Sequence, residues 1–262
     1  MIDPGSLVPR LVTRGPVGRA TAELVPALRL RGVARPAGRL TLFGVPLRLD
    51  VSWVFGVALA TWTFADAVLP AQAPDRGAGV YVAAGALTAL LVFVSLALHE
   101  VGHWLAARRA GLPVVRLGVS LVGGELELGA VPRSPAVELR LALGGPLASL
   151  ATAAIAGLVH VVLVEAAVDP LLCAVAAVVA VANLGITVLN LFPGLPLDGG
   201  RTLRAVVWAL TGNEPRATRV ATVAGRTLGI TFLLVAVVAS ASGDAAAAIW
   251  SGALGLTIHH HA

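Results

Sequence analysis

The chain has 262 residues, of which 57% are hydrophobic and 13% are charged, and its mean hydropathy is +0.88. A soluble domain carries about 25% charged residues, so this composition excludes an ordinary soluble protein and predicts one solvated by a lipid bilayer. A single cysteine, Cys173, excludes a disulfide scaffold. All 19 basic residues are arginine. In a membrane protein such residues mark cytoplasmic loops and contact with anionic lipid, so no nucleic-acid partner is expected.

The apolar segments predict an all-α integral membrane protein with about six transmembrane helices. The predicted spans are residues 51–69, 80–105, 141–164, 171–192, 220–240 and 245–258. A crossing helix needs about 20 apolar residues. The sixth segment is shorter than that, so it is expected to tilt, to re-enter or to stop short. A short basic helix is predicted around residues 201–210, after the interrupted stretch PGLPLDGG.

Three regions are expected along the chain: a basic cytoplasmic N-terminal arm over residues 1–41, a membrane domain over residues 42–258, and a tail over residues 259–262. The opening MIDPGSLVPR and the terminal histidines resemble expression-vector sequence and are excluded from the functional interpretation. Residues 115–128 alternate apolar and polar side chains, with Gly123 and Gly124 as a two-residue turn. This pattern predicts a short cytoplasmic-side β-hairpin between spans two and three that could offer an edge strand to an extended peptide, with a plain loop as the alternative.

The arginine distribution predicts the orientation. The first 50 residues contain eight Arg, residues 108–140 contain five and residues 201–226 contain five, whereas the opposite side has only Arg76. By the positive-inside rule the N-terminus lies in the cytoplasm. The Ala, Val, Gly and Arg bias without Lys is typical of a high-GC bacterium. We therefore expect a multi-pass protein of the plasma (inner) membrane.

The second predicted span contains the motif HEVGH, with His99, Glu100 and His103. Residues four apart share a helix face, so both imidazoles can reach one Zn²⁺ per chain while Glu100 accepts a proton from the attacking water. His99 lies nine residues before Arg108, about 14 Å inside the cytoplasmic boundary. Ionisable side chains at that depth are functional by default, and a buried polar cluster that only joins helices is the alternative.

A catalytic zinc site needs a third protein ligand, for which the sequence offers two choices. Asp198 follows the fourth span in NLFPGLPLDGGR, where prolines interrupt the helix and glycines permit close backbone approach. This span ends on the same side of the membrane as HEVGH, so Asp198 is preferred. The other choice is Glu125 or Glu127, a little over twenty residues downstream of the motif in the alternating polar stretch.

With these motifs, the chain resembles the site-2 protease family of intramembrane zinc metalloproteases, in its compact prokaryotic form without PDZ or CBS domains. The resemblance covers about residues 42–258 and rests on FGVPLRLDVSW, ALHEVGHWLAARRAG, LALGGPLASL and NLFPGLPLDGGRTLRA. It implies that His99, His103 and Asp198 bind zinc, that Glu100 is the general base, and that Asn190 steadies the oxyanion or the substrate backbone. The active site is expected to open toward the cytoplasm.

The family resemblance implies cleavage of peptide bonds within or near the transmembrane helix of another protein. Such substrates include an anti-sigma factor, a membrane-tethered transcription factor or a signal-peptide remnant. The alternative function is a zinc transporter or a non-catalytic metal-binding membrane protein. A transporter predicts ligands staggered between both membrane faces, whereas these ligands gather near the cytoplasmic third.

Overall fold

The computed structural model describes residues 41–42, 45–49, 51–120 and 123–262. The predicted N-terminal arm therefore lies outside the described residues except for Thr41. In chain order, the elements are β1 (Thr41–Leu42), β2 (Val45–Leu49), α1 (Ser52–Thr63), a π-helical turn (Phe64–Val68), α2 (Leu69–Gln72), α3 (Ala78–Arg109), β3 (Val114–Ser120), β4 (Gly123–Leu128), α4 (Pro135–Glu165), α5 (Pro170–Asn190), α6 (Asp198–Thr211), α7 (Glu214–Ala241) and α8 (Ala245–His261).

Five helical stretches among the described residues are long and apolar enough to cross a membrane. They are Trp53–Gln72, Ala78–Arg109, Pro135–Glu165, Pro170–Asn190 and Glu214–Ala241. These stretches correspond to the first five predicted spans, and the chain is a multi-pass membrane protein. Helix α8 has 17 residues, a length of about 25 Å. Because the hydrocarbon layer is about 30 Å thick, a full crossing by α8 stays a prediction.

The distribution of side chains suits a lipid solvent. Large apolar residues face outward on the spans, and Leu158 is 64% exposed while Val181 is 67% exposed. Polar and ionisable side chains instead lie in the interior, where Glu138 and Asn183 are fully buried. Lipid tails are as apolar as these outward side chains, so packing and interhelical hydrogen bonds rather than the hydrophobic effect hold the helices together.

The hairpin is present, and it belongs to a larger sheet than the sequence indicated. The strand order is β1-β2-β3-β4, with β2 and β3 parallel and the other pairs antiparallel. The prediction of a turn at Gly123 and Gly124 is wrong, because both glycines lie in β4 and the connection falls between Ser120 and Gly123. The pairing of Leu117 with Leu126, which buries Leu117, sets this register.

Helices α3 and α4 cross with their backbones in contact. A β-carbon on Gly102 would lie 2.7 Å from that of Ala148, and one on Gly144 would lie 2.7 Å from the Gly102 carbonyl oxygen. Small residues at such a crossing let two membrane helices approach closely. The cluster LALGGPLAS therefore serves helix packing, and it brings α4 against the HEVGH turn of α3.

The interrupted segment between α5 and α6 is anchored on α7. The Leu195 amide donates to the Ala221 carbonyl oxygen at 3.1 Å, and a β-carbon on Gly225 would lie 2.9 Å from the Leu195 carbonyl carbon. Gly199 and Gly200 pack their Cα atoms against the backbone of the same segment. Helix α6 thus starts at a fixed point inside the bundle, with Asp198 as its first residue.

Candidate active site

Two helices bring four ionisable side chains together in the interior. His99, Glu100 and His103 lie on one stretch of α3, and Asp198 opens α6. All four are buried, with exposed fractions between 4% and 7%. Ligand atoms of His99, Glu100 and His103 all lie within 4.8 Å of one another. The structure therefore joins residues that are about a hundred positions apart in the sequence.

Three ligand atoms form a nearly equilateral triangle. The two Nε2 atoms of His99 and His103 are 3.1 Å apart. Asp198 Oδ2 lies 3.1 Å from His99 Nε2 and 3.2 Å from His103 Nε2. In a tetrahedral zinc site with bonds of roughly 2.0–2.1 Å, the ligand atoms are about 3.3 Å apart. The triangle therefore has the size and donor set that such an ion requires.

Hydrogen bonds on the far side of each imidazole orient the rings. His103 Nδ1 lies 2.7 Å from the Leu141 carbonyl oxygen and 3.3 Å from the Gly145 amide nitrogen. The shorter contact is to an oxygen that can only accept, which assigns the proton to Nδ1. His99 Nδ1 lies 2.9 Å from the hydroxyl of Ser149 on α4. In a ring whose Nδ1 donates, Nε2 is the nitrogen left to bind a metal ion, and the Nε2 atoms of both rings point into the triangle. Such convergence favours a bound cation.

Gly145 leaves the space beside these imidazoles open. A β-carbon at this position of α4 would overlap the Nε2 atoms of both His99 and His103 and would lie 2.6 Å from His99 Cδ2. Any larger residue would therefore crowd the two Nε2 atoms on the side where they face α4. The absence of a side chain at Gly145 is a second observation that fits a metal ion in this place.

The Asp198 carboxyl is held in its ionised form. Burial raises its pKa, but hydrogen bonds from protonated Nε2 atoms of His103 and His99, together with the charges of those rings, outweigh burial, and the pKa lies below its ordinary value. A metal ion that binds in the triangle takes the place of those protons. An ionised carboxylate is the form that ligates a metal. The electrostatics of the cluster therefore agree with its geometry.

The other predicted residues differ in their burial and in their hydrogen-bond partners. Glu100 follows His99 directly, is 6% exposed, and makes no hydrogen bond within the described part of the chain. Asn190 ends α5, and its Nδ2 donates to the Ile186 carbonyl oxygen at 2.9 Å. Glu127 is exposed and pairs with Arg116 across the hairpin. Glu125 lies on the same strand, β4, opposite Gly118.

Sequence reasoning missed the contribution of α4 to this site. The Leu141 carbonyl, Gly145 and Ser149 all face the histidines, yet the stretch LALGGPLASL entered the sequence analysis only as part of the family resemblance. One signal was available: Ser149 is a polar residue four positions after Gly145 in an apolar span, and four residues is about one helical turn. The carbonyl contact carries no sequence signal, because every residue has a carbonyl.

Comparisons with known proteins agree with one another over the parts of the chain that they cover. A family model described as peptidase family M50 matches residues 152–236. The curated protein named "Putative zinc metalloprotease Rip3" from Mycobacterium tuberculosis is 33% identical over 225 residues, which cover 85% of this chain and 56% of that protein. The protein named zinc metalloprotease MJ0392 from Methanocaldococcus jannaschii is 32% identical over 151 residues, 55% of this chain and 41% of that protein. The chain spans about half the length of these curated relatives.

A solved structure shares the fold. The site-2 protease from Methanocaldococcus jannaschii superimposes with a TM-score of 0.61 at 23% sequence identity. The match covers 85% of this chain and 94% of that structure. The helical architecture around the triangle is therefore similar to that of a solved membrane protease.

Proposed function

Because the chain belongs to peptidase family M50, the family of the site-2 proteases, we propose that it is an intramembrane zinc metalloprotease that hydrolyses peptide bonds within or near the transmembrane helix of another membrane protein. The observation that carries this proposal is the buried triangle of His99, His103 and Asp198 with Glu100 beside it.

We assign the metal ligands to His99, His103 and Asp198, with one Zn²⁺ per chain. When bound, zinc supplies a Lewis acid that polarises the substrate carbonyl and makes a water molecule acidic enough to ionise near neutral pH. Asp198 is supported as the third ligand by its distances of 3.1 and 3.2 Å to the two imidazoles. The alternative, Glu127, is exposed and engaged with Arg116.

Glu100 and Asn190 supply the remaining chemistry. Glu100 takes the proton of the attacking water and returns it to the leaving amine. The one carboxylate therefore acts first as the general base and then as the general acid. Its carboxylate is supported in this role by its position beside His99 and by the lack of a hydrogen bond in the described residues. The Asn190 amide has two N–H groups, of which one contacts Ile186. The second N–H is the donor that we assign to the oxyanion or the substrate backbone.

The substrate must be a helix that can unwind. Peptide bonds in a membrane helix are protected by their own hydrogen bonds, so the cleaved segment has to become extended. Strand β4 lies at an edge of the sheet, and an edge strand can pair with an extended peptide. We expect substrates such as an anti-sigma factor, a membrane-tethered transcription factor or a signal-peptide remnant.

The orientation follows from the arginine distribution. The segments rich in arginine precede β2, follow α3 and include α6, and all of them lie on one side by the alternation of spans. We place the N-terminus and the opening of the active site on the cytoplasmic side of the inner membrane. The sheet lies at that end of α3, close to the two arginines that end the helix.

The test is cleavage of a panel of single-span membrane proteins by the detergent-purified full chain, with zinc content measured in parallel. We expect cleavage by the wild type, none by Glu100→Gln with zinc retained, and reduced zinc with Asp198→Asn. The control is Glu127→Gln, the same kind of change at an exposed carboxylate, which should keep both zinc and activity. Cleavage by Glu100→Gln at the wild-type rate would exclude the general-base role. Zinc binding without cleavage of any member of the panel, together with zinc uptake into proteoliposomes, would indicate the transporter instead.

A further inference from the structure

A buried ion pair joins the two helices that flank the triangle. Glu138, in the first turn of α4, is fully buried. Its Oε1 accepts from Arg204 Nη2 at 2.8 Å and Nε at 3.2 Å, and Arg201 Nε lies 3.6 Å away. Both arginines belong to α6. Glu138 Oε2 has no hydrogen-bond partner within the described residues, so the carboxylate is held from one side only.

The pair lies on the faces that build the site. On α4, Glu138, Leu141, Gly145 and Ser149 are spaced by three or four residues and therefore share one face. On α6, Arg201 follows Asp198 by three residues. The face of α4 thus carries the ion pair at one end and the surroundings of the triangle at the other, and on α6 the two arginines follow Asp198 within two helical turns.

Helix α6 needs such a link. It follows the interrupted segment after α5, so it does not continue the axis of a membrane span. Its first turn is fixed to that segment and through it to α7. It also packs against α4, which supplies Leu141 and Ser149, and among the described contacts the ion pair is the polar link in that packing. Arg204 extends the link to α7, since its Nη1 lies 3.5 Å from Glu214 Oε1.

A buried ion pair of this kind is costly as a source of stability. Removing two charges from water costs several kcal/mol per ion, and a well-packed apolar pair is often at least as stable. Fixing one arrangement of neighbouring helices is the better-supported use of such a pair. Metal sites depend on such support, because ligands must be held close to the productive geometry.

We propose that Glu138 is a positioning residue: with Arg204, it sets the position of α6 against α4 so that the Asp198 carboxylate meets the Nε2 atoms of His99 and His103. The inference rests on the proposed zinc ligands. It assigns Glu138 no contact with substrate or metal. Arg201, at 3.6 Å, adds positive charge to the same carboxylate.

The test is a double-mutant cycle on zinc affinity, measured by competition with a chromophoric chelator. Glu138→Gln should weaken zinc binding by about 10- to 100-fold, the usual effect of losing an outer-shell partner. In an Asp198→Ala background, the same change should have almost no further effect, because the carboxylate that Glu138 positions is gone. The control Glu127→Gln should leave zinc affinity unchanged both in the wild type and in Asp198→Ala.

A general role in folding gives a different pattern. It predicts that Glu138→Gln lowers zinc affinity by the same factor with and without Asp198, and this result would overturn the proposal. Unchanged zinc affinity of Glu138→Gln in the otherwise wild-type protein, where Asp198 is present, would overturn it as well. If Glu138→Gln fails to fold, Arg204→Lys keeps the charge but loses the planar fork of donors, and we expect it to weaken zinc binding in the same Asp198-dependent way.

A second readout uses Co²⁺ in place of zinc. Loss of the Asp198 ligand changes the coordination of the ion and hence its visible absorption, so the Glu138→Gln spectrum should approach that of Asp198→Ala. A spectrum identical to the wild type would contradict the positioning role. Both readouts work without proteolysis. A wild type that binds zinc but cleaves nothing would overturn the proposed protease and leave this inference standing.

Discussion

Gly145 turns its Cα toward His99, and a β-carbon there would lie 2.6 Å from His99 Cδ2. The two residues belong to different helices, α4 and α3, whose backbones touch at Gly102 and Gly144. The room for a metal ion beside HEVGH is therefore created by a neighbouring helix. Single substitutions on α4 can be used to examine this dependence.

Gly145→Ala should abolish or strongly weaken zinc binding. The added methyl group overlaps both Nε2 atoms, whereas alanine is a better helix former than glycine by about 1 kcal/mol. The protein should therefore remain helical while losing its metal. Metal content and circular dichroism of the purified variant measure the two effects separately.

The matched control for this change is Gly157→Ala, on the same helix, where a β-carbon would have nothing within 4 Å. We expect normal zinc content and activity in that variant. Full zinc occupancy in Gly145→Ala would contradict the placement of the ion inside the triangle.

Ser149→Ala should lower zinc affinity by about 10- to 100-fold without unfolding the protein. The hydroxyl lies 2.9 Å from His99 Nδ1, so its loss frees the ring to rotate and removes its hydrogen-bond partner on α4. Thr152→Ala is the control, since Thr152 Oγ1 bonds only to the Ala148 carbonyl of its own helix among the described contacts. Equal zinc affinities for the two variants would show that Ser149 does not orient His99.

Asn183 should stabilise the contact between α3 and α5. Its Nδ2 donates to Ser95 Oγ at 3.0 Å, and both side chains are buried. In a double-mutant cycle of Asn183→Ala and Ser95→Ala, we expect a coupling of about 0.6 kcal/mol, the average found for such hydrogen bonds in membranes. Reversible unfolding in mixed micelles measures it. In the control pair, Asn183→Ala and Thr152→Ala, the changes in the free energy of unfolding should be additive. If the changes for Asn183→Ala and Ser95→Ala are additive as well, the hydrogen bond contributes nothing.

Removal of zinc should lower thermal stability as well as activity. A ligand that binds only the folded protein stabilises it by about 2.7 kcal/mol at a hundred times its dissociation constant. Treatment with a chelator should therefore lower the unfolding midpoint, and added Zn²⁺ should restore it. In Asp198→Ala the shift should be smaller at the same zinc concentration. A thermal unfolding midpoint of the wild type that is the same with and without zinc would argue against the site.

The sequence was a good guide to the helices because each has a long apolar run. The five spans were predicted within a few residues at most ends, and the short helix predicted from residue 201 begins three residues earlier, within PGLPLDGG, and extends from Asp198 to Thr211. The sheet was harder to predict. The pairing of β2 with β3 joins segments separated by α1 to α3, and a glycine pair that suggested a turn lies within a strand. Strand register depends on the partner strand, which local composition does not describe.

For the site, HEVGH is a local pattern, because the helical repeat alone places His99 and His103 on one face. Asp198 could be nominated from its broken-helix context, but the choice between it and Glu127 required distances. The fully buried Glu138 carried no sequence signal, since an acid in the first turn of a helix is common at exposed positions as well.

The sequence by itself determined that this is a membrane protein with a zinc-binding motif inside a span, because hydropathy and helical spacing are local properties of the chain. Tertiary structure decided which carboxylate completes the triangle, which carbonyl and hydroxyl orient the imidazoles, and which glycine leaves space beside them. These features depend on how α3, α4 and α6 cross. Such crossings are set by packing between residues far apart in the sequence, and no local pattern encodes them.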